Sequence, residues 1–295
     1  MRVRKAGAGS VTLAYETFGD EGRPPVLLVM GLGAQMVGWH TDFCEALADG
    51  RYVIRFDNRD VGESEWVEGA VDLAAVMAGD TSSAPYTLED MADDTIGLLD
   101  ALGIDSAHVV GASMGGMIAQ TLAITHPERL RSLTSIMSTT GAPGLAQPTE
   151  AAAAALMSAP AATRDEAMER ALEVNAVIGS PGYRRNEQDI RDRAAQAFDR
   201  GINPDGVARQ LAAIRASGDR TEALHSVRVL TLVVHGEDDP LVPQDGGLAT
   251  AAAIPGADLW TVPGMGHDIP RSLWPELIAR IGALVDAADG VRTAQ

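Results

Sequence analysis

The chain has 295 residues and a formal net charge of −18 at pH 7, which argues against nucleic acid and anionic membranes as partners. Its single cysteine, Cys44, cannot form an internal disulfide, and no apolar run reaches the roughly 18 residues that read as a membrane span. This length can bury a large core, and one α/β domain carrying an insertion fits it as well as two domains. The first residues, Met1-Arg2-Val3-Arg4-Lys5, are basic but lead into a polar Gly-rich stretch rather than an apolar signal core, so the expected location is cytoplasmic. Strands are expected at residues 11–17, 26–29, 52–56, 108–110, 133–137, 229–234 and 258–262, with a further N-terminal strand poorly marked. Helical patterns lie between them. One covers residues 41–47 and holds Cys44; another is capped by Thr87, runs through Met91, Ile96, Leu98 and Leu99, and stops at Gly103. Apolar runs alternating with helices imply a mainly parallel sheet with helices on both faces.

Between Met137 and Val229 this alternation stops for about ninety residues, far longer than an ordinary connection. Residues 149–158 form an Ala-rich helical pattern. Thr163-x-x-Glu166 reads as a capping box, with Gly179 at the far end of its helix. Asn186 opens a stretch with Ile190, Ala194, Ala197 and Phe198 at helical spacing, closed by Gly201. Asn203 and Pro204 start another, with Val207, Leu211 and Ile214 on one face. The expected organisation is therefore a core of residues 1–138 and 225–295, with an all-helical insertion at 139–224. Gly141-Ala142-Pro143-Gly144 is a plausible hinge, and the tail after Asp286 is expected to fray.

The segment Gly111-Ala112-Ser113-Met114-Gly115-Gly116 follows the apolar run His108-Val109-Val110 and precedes a helical pattern from Met117. Strand, G-x-S-x-G and helix in that order make a nucleophile elbow. A serine at so sharp a turn is held in a strained conformation, with neighbouring backbone too close to residues two before and two after it for side chains. A serine hydroxyl needs a base, and the base needs an acid to orient it. Of six histidines, His267 best fits the base: it follows the apolar stretch Leu259-Trp260-Thr261-Val262 on the Gly-containing loop Pro263-Gly264-Met265-Gly266. His40, His108, His126, His225 and His235 read as structural. His235 closes a strand before Gly236-Glu237-Asp238-Asp239-Pro240, whose tip makes Asp239 the expected acid, with Asp238 second. Asp57 precedes the nucleophile and reads as holding its own loop. An oxyanion hole needs backbone N–H donors. Met114 follows the nucleophile, and Leu32 lies in the loop Met30-Gly31-Leu32-Gly33 after an early strand.

These features together resemble the α/β-hydrolase superfamily along the whole chain. Within it, the Met30-Gly31 loop, Asp57-Asn58-Arg59-Asp60 and Pro263-Gly264-Met265-Gly266-His267 resemble the aclacinomycin methylesterase group of carboxylesterases. Most relatives carry His-Gly in place of Met30-Gly31, and glycine in place of Asp60. The resemblance implies an α/β-hydrolase fold with a helical cap and a carboxylic methyl ester of an aromatic polyketide as the substrate class. Ser113 would attack the ester, His267 would take its proton, Asp239 would orient the imidazole, and Leu32 and Met114 would bind the oxyanion. No cofactor or metal is expected, since His and Cys spacing offers no ligand set. Met36, Trp39, Met137 and Met265 are the candidate substrate-binding residues, an apolar lining suited to a bulky, weakly polar ester. The loops around Ser113 carry no basic cluster to clamp an anionic substrate. The same triad would serve a lactonase, a carbon–carbon bond hydrolase or a perhydrolase. A non-catalytic receptor for a small apolar ligand is the reading from a different class.

Overall fold

The computed structural model describes residues 3–293. One eight-stranded sheet organises them: β1 (Arg4–Ala8), β2 (Val11–Phe18), β3 (Pro25–Val29), β4 (Tyr52–Phe56), β5 (Ala107–Ala112), β6 (Leu130–Ile136), β7 (Leu230–Gly236) and β8 (Asp258–Val262). Their spatial order is β1-β2-β4-β3-β5-β6-β7-β8. β1 and β2 pair antiparallel, β2 meets β4 antiparallel, and every later pairing is parallel. The poorly marked N-terminal strand is β1, which has exposed residues at its outer end and pairs on one side.

The apolar runs form strands because the sheet is covered on both faces. Every residue of β3, β4 and β5 is buried, as a parallel sheet between helix layers requires. The covering helices are α1 (Thr41–Leu47), α3 (Leu88–Ala101), α4 (Met114–Thr125), α10 (Gln244–Ala253) and α11 (Trp274–Thr293), while the short α2 (Leu73–Met77) packs against the helix of residues 204–217. One core layer joins Leu27, Ile54 and Val109 to Leu98 of α3 and Ile118 of α4. The other joins Leu28, Val53 and Val110 to Phe43 of α1 and Ile281 of α11. Cys44 is fully buried there, and burial pushes its thiol up to about 12. Thr87 caps α3 in a complete box with Asp90. The tail does not fray at Asp286: α11 continues to Thr293, held where Val285 and Ala288 are buried and Arg51 meets Asp286 at 3.2 Å. Met1, Arg2, Ala294 and Gln295 lie outside the described residues.

Between β6 and β7 the chain forms five helices: α5 (Glu150–Leu156), α6 (Arg164–Ile178), α7 (Glu187–Arg200), α8 (Pro204–Ser217) and α9 (Thr221–Leu224). Asn186 and Asn203 cap α7 and α8 through their side chains, and Gly201 follows α7 with φ 114°. The capping box at α6 is only half formed. Thr163 Oγ1 accepts the Glu166 N–H, but the Glu166 carboxylate accepts the Ala162 N–H instead of that of Thr163.

Polar groups fasten these helices to the sheet. Asp60, fully buried with φ 72°, accepts Arg209 Nε at 2.9 Å and Nη2 at 2.8 Å, and the Tyr86 hydroxyl at 2.7 Å. Asp57, also fully buried, accepts the Met36 N–H at 2.7 Å and the Glu63 N–H at 3.1 Å, and pairs with Arg200. Burial pushes the Asp57 carboxyl up, against the downward pull of Arg200 and the two N–H donors. Asp57 thus holds its own loop, as its position at the end of β4 suggests, and also the end of α7.

Candidate active site

β5 runs straight into α4 through Ser113, whose backbone sits at φ 56°, ψ −121°. The glycines around it are demanded by contact. A Cβ on Gly111 would lie 2.1 Å from the Gly115 carbonyl oxygen, and one on Gly115 would lie 2.2 Å from that of Val29. On Gly116 it would meet Ser138 at 2.6 Å, so this glycine lets α4 seat against the segment after β6. Main-chain bonds from Ser113 N–H to Ile136 and from Met137 N–H to Val234, at 2.9 and 2.8 Å, lock the turn between neighbouring strand ends.

The strand ends bring the three distant residues together. His267 Nε2 lies 3.0 Å from Ser113 Oγ, and its Nδ1 lies 2.7 Å from Asp239 Oδ2. The other Asp239 oxygen accepts the N–H groups of Leu241 and Val242, both at 2.9 Å, which fixes the carboxylate in a fully enclosed position. Asp238 instead accepts the Gly264 N–H at 2.9 Å, and Glu237 is exposed. Geometry therefore separates the three neighbouring acids. His235 is buried with Nε2 2.8 Å from the Val242 carbonyl, and burial pushes its pKa below the ordinary value. Among the other histidines, His40 caps α1, His108 lies within β5, His126 follows α4, and His225 follows α9.

Leu32 lies on the loop after β3, and Met114 directly follows Ser113. A Cβ on Gly31 would come within 3.1 Å of the Ser113 Cβ, so the loop after β3 passes directly against the serine. Met114 opens α4, where the first turn of a helix leaves its N–H groups without intrahelical acceptors. The loop is held from above: the Gly33 N–H donates to Gln210 Oε1 of α8 at 2.8 Å, and Gln210 Nε2 donates to the Arg59 carbonyl at 2.8 Å. Nothing in the local sequence marks Gln210, because its role depends on how α8 packs.

Ser113 and His267 open into a cavity of about 890 Å³ between the strand ends and the inserted helices. Leu32, Trp39 and Met137 line it, whereas two other expected residues do not. Met36 and Met265 are both buried outside the lining: Met36 is anchored through its backbone to Asp57, and Met265 packs in the core beside α11. Met30, Phe43, Ile178 and Trp274 supply apolar surface in their place. The lining is also less apolar than expected, for Arg184, Arg185, Arg193 and Arg271 reach it. Three come from the inserted helices and their connections, beyond the loops inspected in sequence. Arg185 pairs with Glu187 at 3.2 Å, Arg193 with Asp189 at 3.1 Å, and Arg271 with Asp42, so the rim is mixed in charge. Among the described residues, no group of three or more His, Cys, Asp and Glu side chains converges as metal ligands would. No helix among them is long and apolar enough to cross a membrane.

Comparison with known proteins agrees with this architecture. Rhodomycin D methylesterase DauP of Streptomyces sp. (strain C5) is 29% identical over 98% of this chain and 99% of its own length, in line with the methylesterase resemblance. The 3-oxoadipate enol-lactonase 2 of Acinetobacter baylyi is 28% identical over 79% of this chain and 78% of its own length. The crystal structure of a hydrolase from Pseudomonas aeruginosa PA01 superposes with a TM-score of 0.72 at 27% identity, covering 97% of each chain. The family described as alpha/beta hydrolase fold matches residues 24–270. The chain belongs to the alpha/beta hydrolase fold family.

Proposed function

We propose that the protein is a serine hydrolase of carboxylic esters, acting on the methyl ester of a bulky, weakly polar, polyketide-like compound. The observation that carries this reading is the continuous relay from Ser113 Oγ through His267 to Asp239, at 3.0 and 2.7 Å. With its Nδ1–H donated to Asp239, the imidazole presents the Nε2 lone pair to the serine hydroxyl. Ser113 Oγ attacks the ester carbonyl carbon as its proton passes to Nε2. The carbonyl oxygen becomes an oxyanion between the N–H groups of Leu32 and Met114. The C–O bond to the alcohol then breaks, with the Nε2 proton delivered to the departing oxygen. Water attacks the acyl-enzyme carbonyl, gives its proton to the same nitrogen, and releases the acid with Ser113 restored. Residues 139–224 act as the cap over a core of residues 1–138 and 225–295, and Trp39 and Met137 contact the acyl portion. The cavity volume and the apolar side chains in its lining support a large substrate, and the methylesterase relative supports a methyl ester.

A lactonase is the second reading, favoured by the enol-lactonase relative, since a cyclic ester would be opened by the same groups. Kinetics on one panel tests both. A polycyclic methyl ester should give a higher kcat/KM than a small charged ester, with short aryl esters accepted. Faster turnover of a small lactone than of any bulky ester would replace the first reading by the second.

A further inference from the structure

The loop that carries His267 is tied to the inserted helices as firmly as to the sheet. Its core-side bonds are few: Met265 N–H to the Val262 carbonyl at 3.2 Å, Asp238 N–H to the Met265 carbonyl at 3.0 Å, and Gly264 N–H to Asp238. The next two N–H groups both point to the segment joining α6 and α7. The His267 N–H donates to the Ile178 carbonyl at 2.7 Å, and the Gly266 N–H donates to Ser180 Oγ at 2.9 Å. Gly182 N–H returns a bond to the Gly264 carbonyl at 2.9 Å. The two backbones touch, for a Cβ on Gly266 would lie 2.5 Å from the Gly179 carbonyl oxygen. Ser180 sits at the centre. Its hydroxyl accepts from Gly266 and donates to Asp268 Oδ1, which also accepts the Ser180 N–H at 2.9 Å. Asn175 Nδ2 of α6 donates to the other Asp268 oxygen at 3.2 Å. One hydroxyl therefore bridges the residues immediately before and after His267.

We infer that Ser180 is a positioning residue for the base: its hydroxyl holds the loop of residues 264–268 so that His267 Nε2 stays within reach of Ser113. This rests on the reading of Ser113 and His267 as nucleophile and base. Gly264, at φ 75°, and Gly266 make that loop intrinsically loose, so Asp239 orients the ring while the backbone that carries it gains its position from contacts outside the loop. With Ser180→Ala, the buried Gly266 N–H loses its acceptor and Asp268 loses one of its donors. The α6–α7 segment is then part of the catalytic frame as well as a cover for substrate.

Substrate size separates these two roles. If Ser180 positions His267, every acylating reagent must feel its loss, including one too small to touch the insertion. Three rates are compared in wild type and variants: inactivation by a small dialkyl fluorophosphonate, and kcat/KM for a short aryl ester and for a bulky methyl ester. Ser180→Ala is expected to lower all three by a common factor of order tenfold, since sub-ångström misplacement of a reacting group carries losses of this size. Ser180→Thr, which keeps the hydroxyl, should restore them to within about threefold, on the same argument from geometry. Ser180→Cys keeps the size and weakens both bonds, should give an intermediate loss, and serves if the alanine protein does not fold. Unchanged rates with the two small reagents, beside a raised KM for the bulky ester, would overturn the inference in favour of direct substrate contact. A wild-type protein that takes no fluorophosphonate at all would overturn the serine-hydrolase reading itself. A labelled wild type with an equally fast Ser180→Ala overturns only the positioning role.

Discussion

The sheet and the helices inserted between β6 and β7 are stabilised by different physics. In β3, β4 and β5 every residue is buried, and apolar layers on both faces hold strand to helix. In the insertion, α6 has no buried residue over its 15 positions, and α7 has two, Ile190 and Ala195. Of its helices, α8 and α9 reach the core, through Ala213 and Leu224, and enclosed charges add to that hold, Asp57 with Arg200 and Asp60 with Arg209. Apolar burial is nondirectional and scales with area, whereas a buried ion pair demands one geometry and fails sharply when one partner is removed. A large cavity between two regions needs such a division, because helices roofing empty space have little apolar surface to pack against. The directional bonds then fix where the roof sits.

The largest effects are expected at the three residues that meet at the strand ends, where both regions contribute contacts. Ser113→Ala should abolish fluorophosphonate labelling and lower esterase turnover by several orders of magnitude, as should His267→Ala, because members of such a relay act as a unit. Asp239→Asn should leave more residual activity than either, and Asp238→Asn far more again, since Asp238 bonds only the Gly264 N–H in this loop. Steady-state kinetics on a short aryl ester reads all four. An Asp238 variant worse than the Asp239 variant would contradict the geometry.

At the fastening of the insertion the expected effect is on stability. Arg209→Met leaves the Asp60 carboxylate enclosed with only neutral donors, the Val67 N–H, the Tyr86 hydroxyl and Asn203, and should cost about 3 kcal/mol, the scale for breaking a buried pair. Chemical denaturation gives the value. Double replacement with Asp60→Asn should recover part of the loss, because no unpaired charge then remains inside.

The core offers a pH-dependent counterpart. His108 in β5 is 1% exposed, and burial pushes its pKa down from 6.5 to about 4, with Asp289 pulling it back up. The unfolded chain takes up this proton at higher pH than the folded one. His108 therefore adds to stability above about 6.5, and that contribution fades as pH falls towards about 4. Melting temperatures measured across this range should fall more steeply for the wild type than for His108→Gln. Equal slopes would show that His108 contributes nothing to the acid limb.

On the outer surface of the insertion the effect should nearly vanish. Arg164 and Asp199 join α6 to α7 at 3.1 Å with more than half of each side chain exposed. Arg164→Ala should change stability by at most about 0.5 kcal/mol, and less in high salt. A loss comparable to that of Arg209→Met would erase the distinction between the two kinds of contact.

The difference between the regions also explains what could be read in the sequence. Strand positions followed from apolar runs, because a doubly covered parallel strand leaves that trace in its own residues. The elbow was legible because Gly111, Gly115 and Gly116 are required by contacts within a few residues or with adjacent strands. Asp239 and His267 were legible as strand-end residues in the order the fold demands. Helix starts at Asn186 and Asn203 were visible for the same local reason, since the cap lies on the residue itself. The cavity lining was not. Whether Met36 or Met30 faces the cavity turns on a short helical turn after β3, which side-chain type does not specify. Gln210 and Ser180 act through contacts with segments distant in sequence, the four arginines reach the cavity only through how the inserted segments and the residues before α11 are placed over it, and polar residues on half-exposed helices carry no periodic signal. The tail after Asp286 was misjudged because its small residues look weak until α11 is placed against the sheet.

Ser113 holds φ 56° and ψ −121°, a region that suits glycine and strains any residue with a Cβ. Ser113→Gly should therefore raise the stability of the folded protein, by about 1 kcal/mol after the greater backbone freedom of unfolded glycine is set against the released strain. A melting temperature equal to or below that of the wild type would refute this. Loss of the reaction and gain of heat tolerance would then lie in one residue. A library screened for folding alone should enrich glycine at this position, whereas one screened for ester turnover should keep serine.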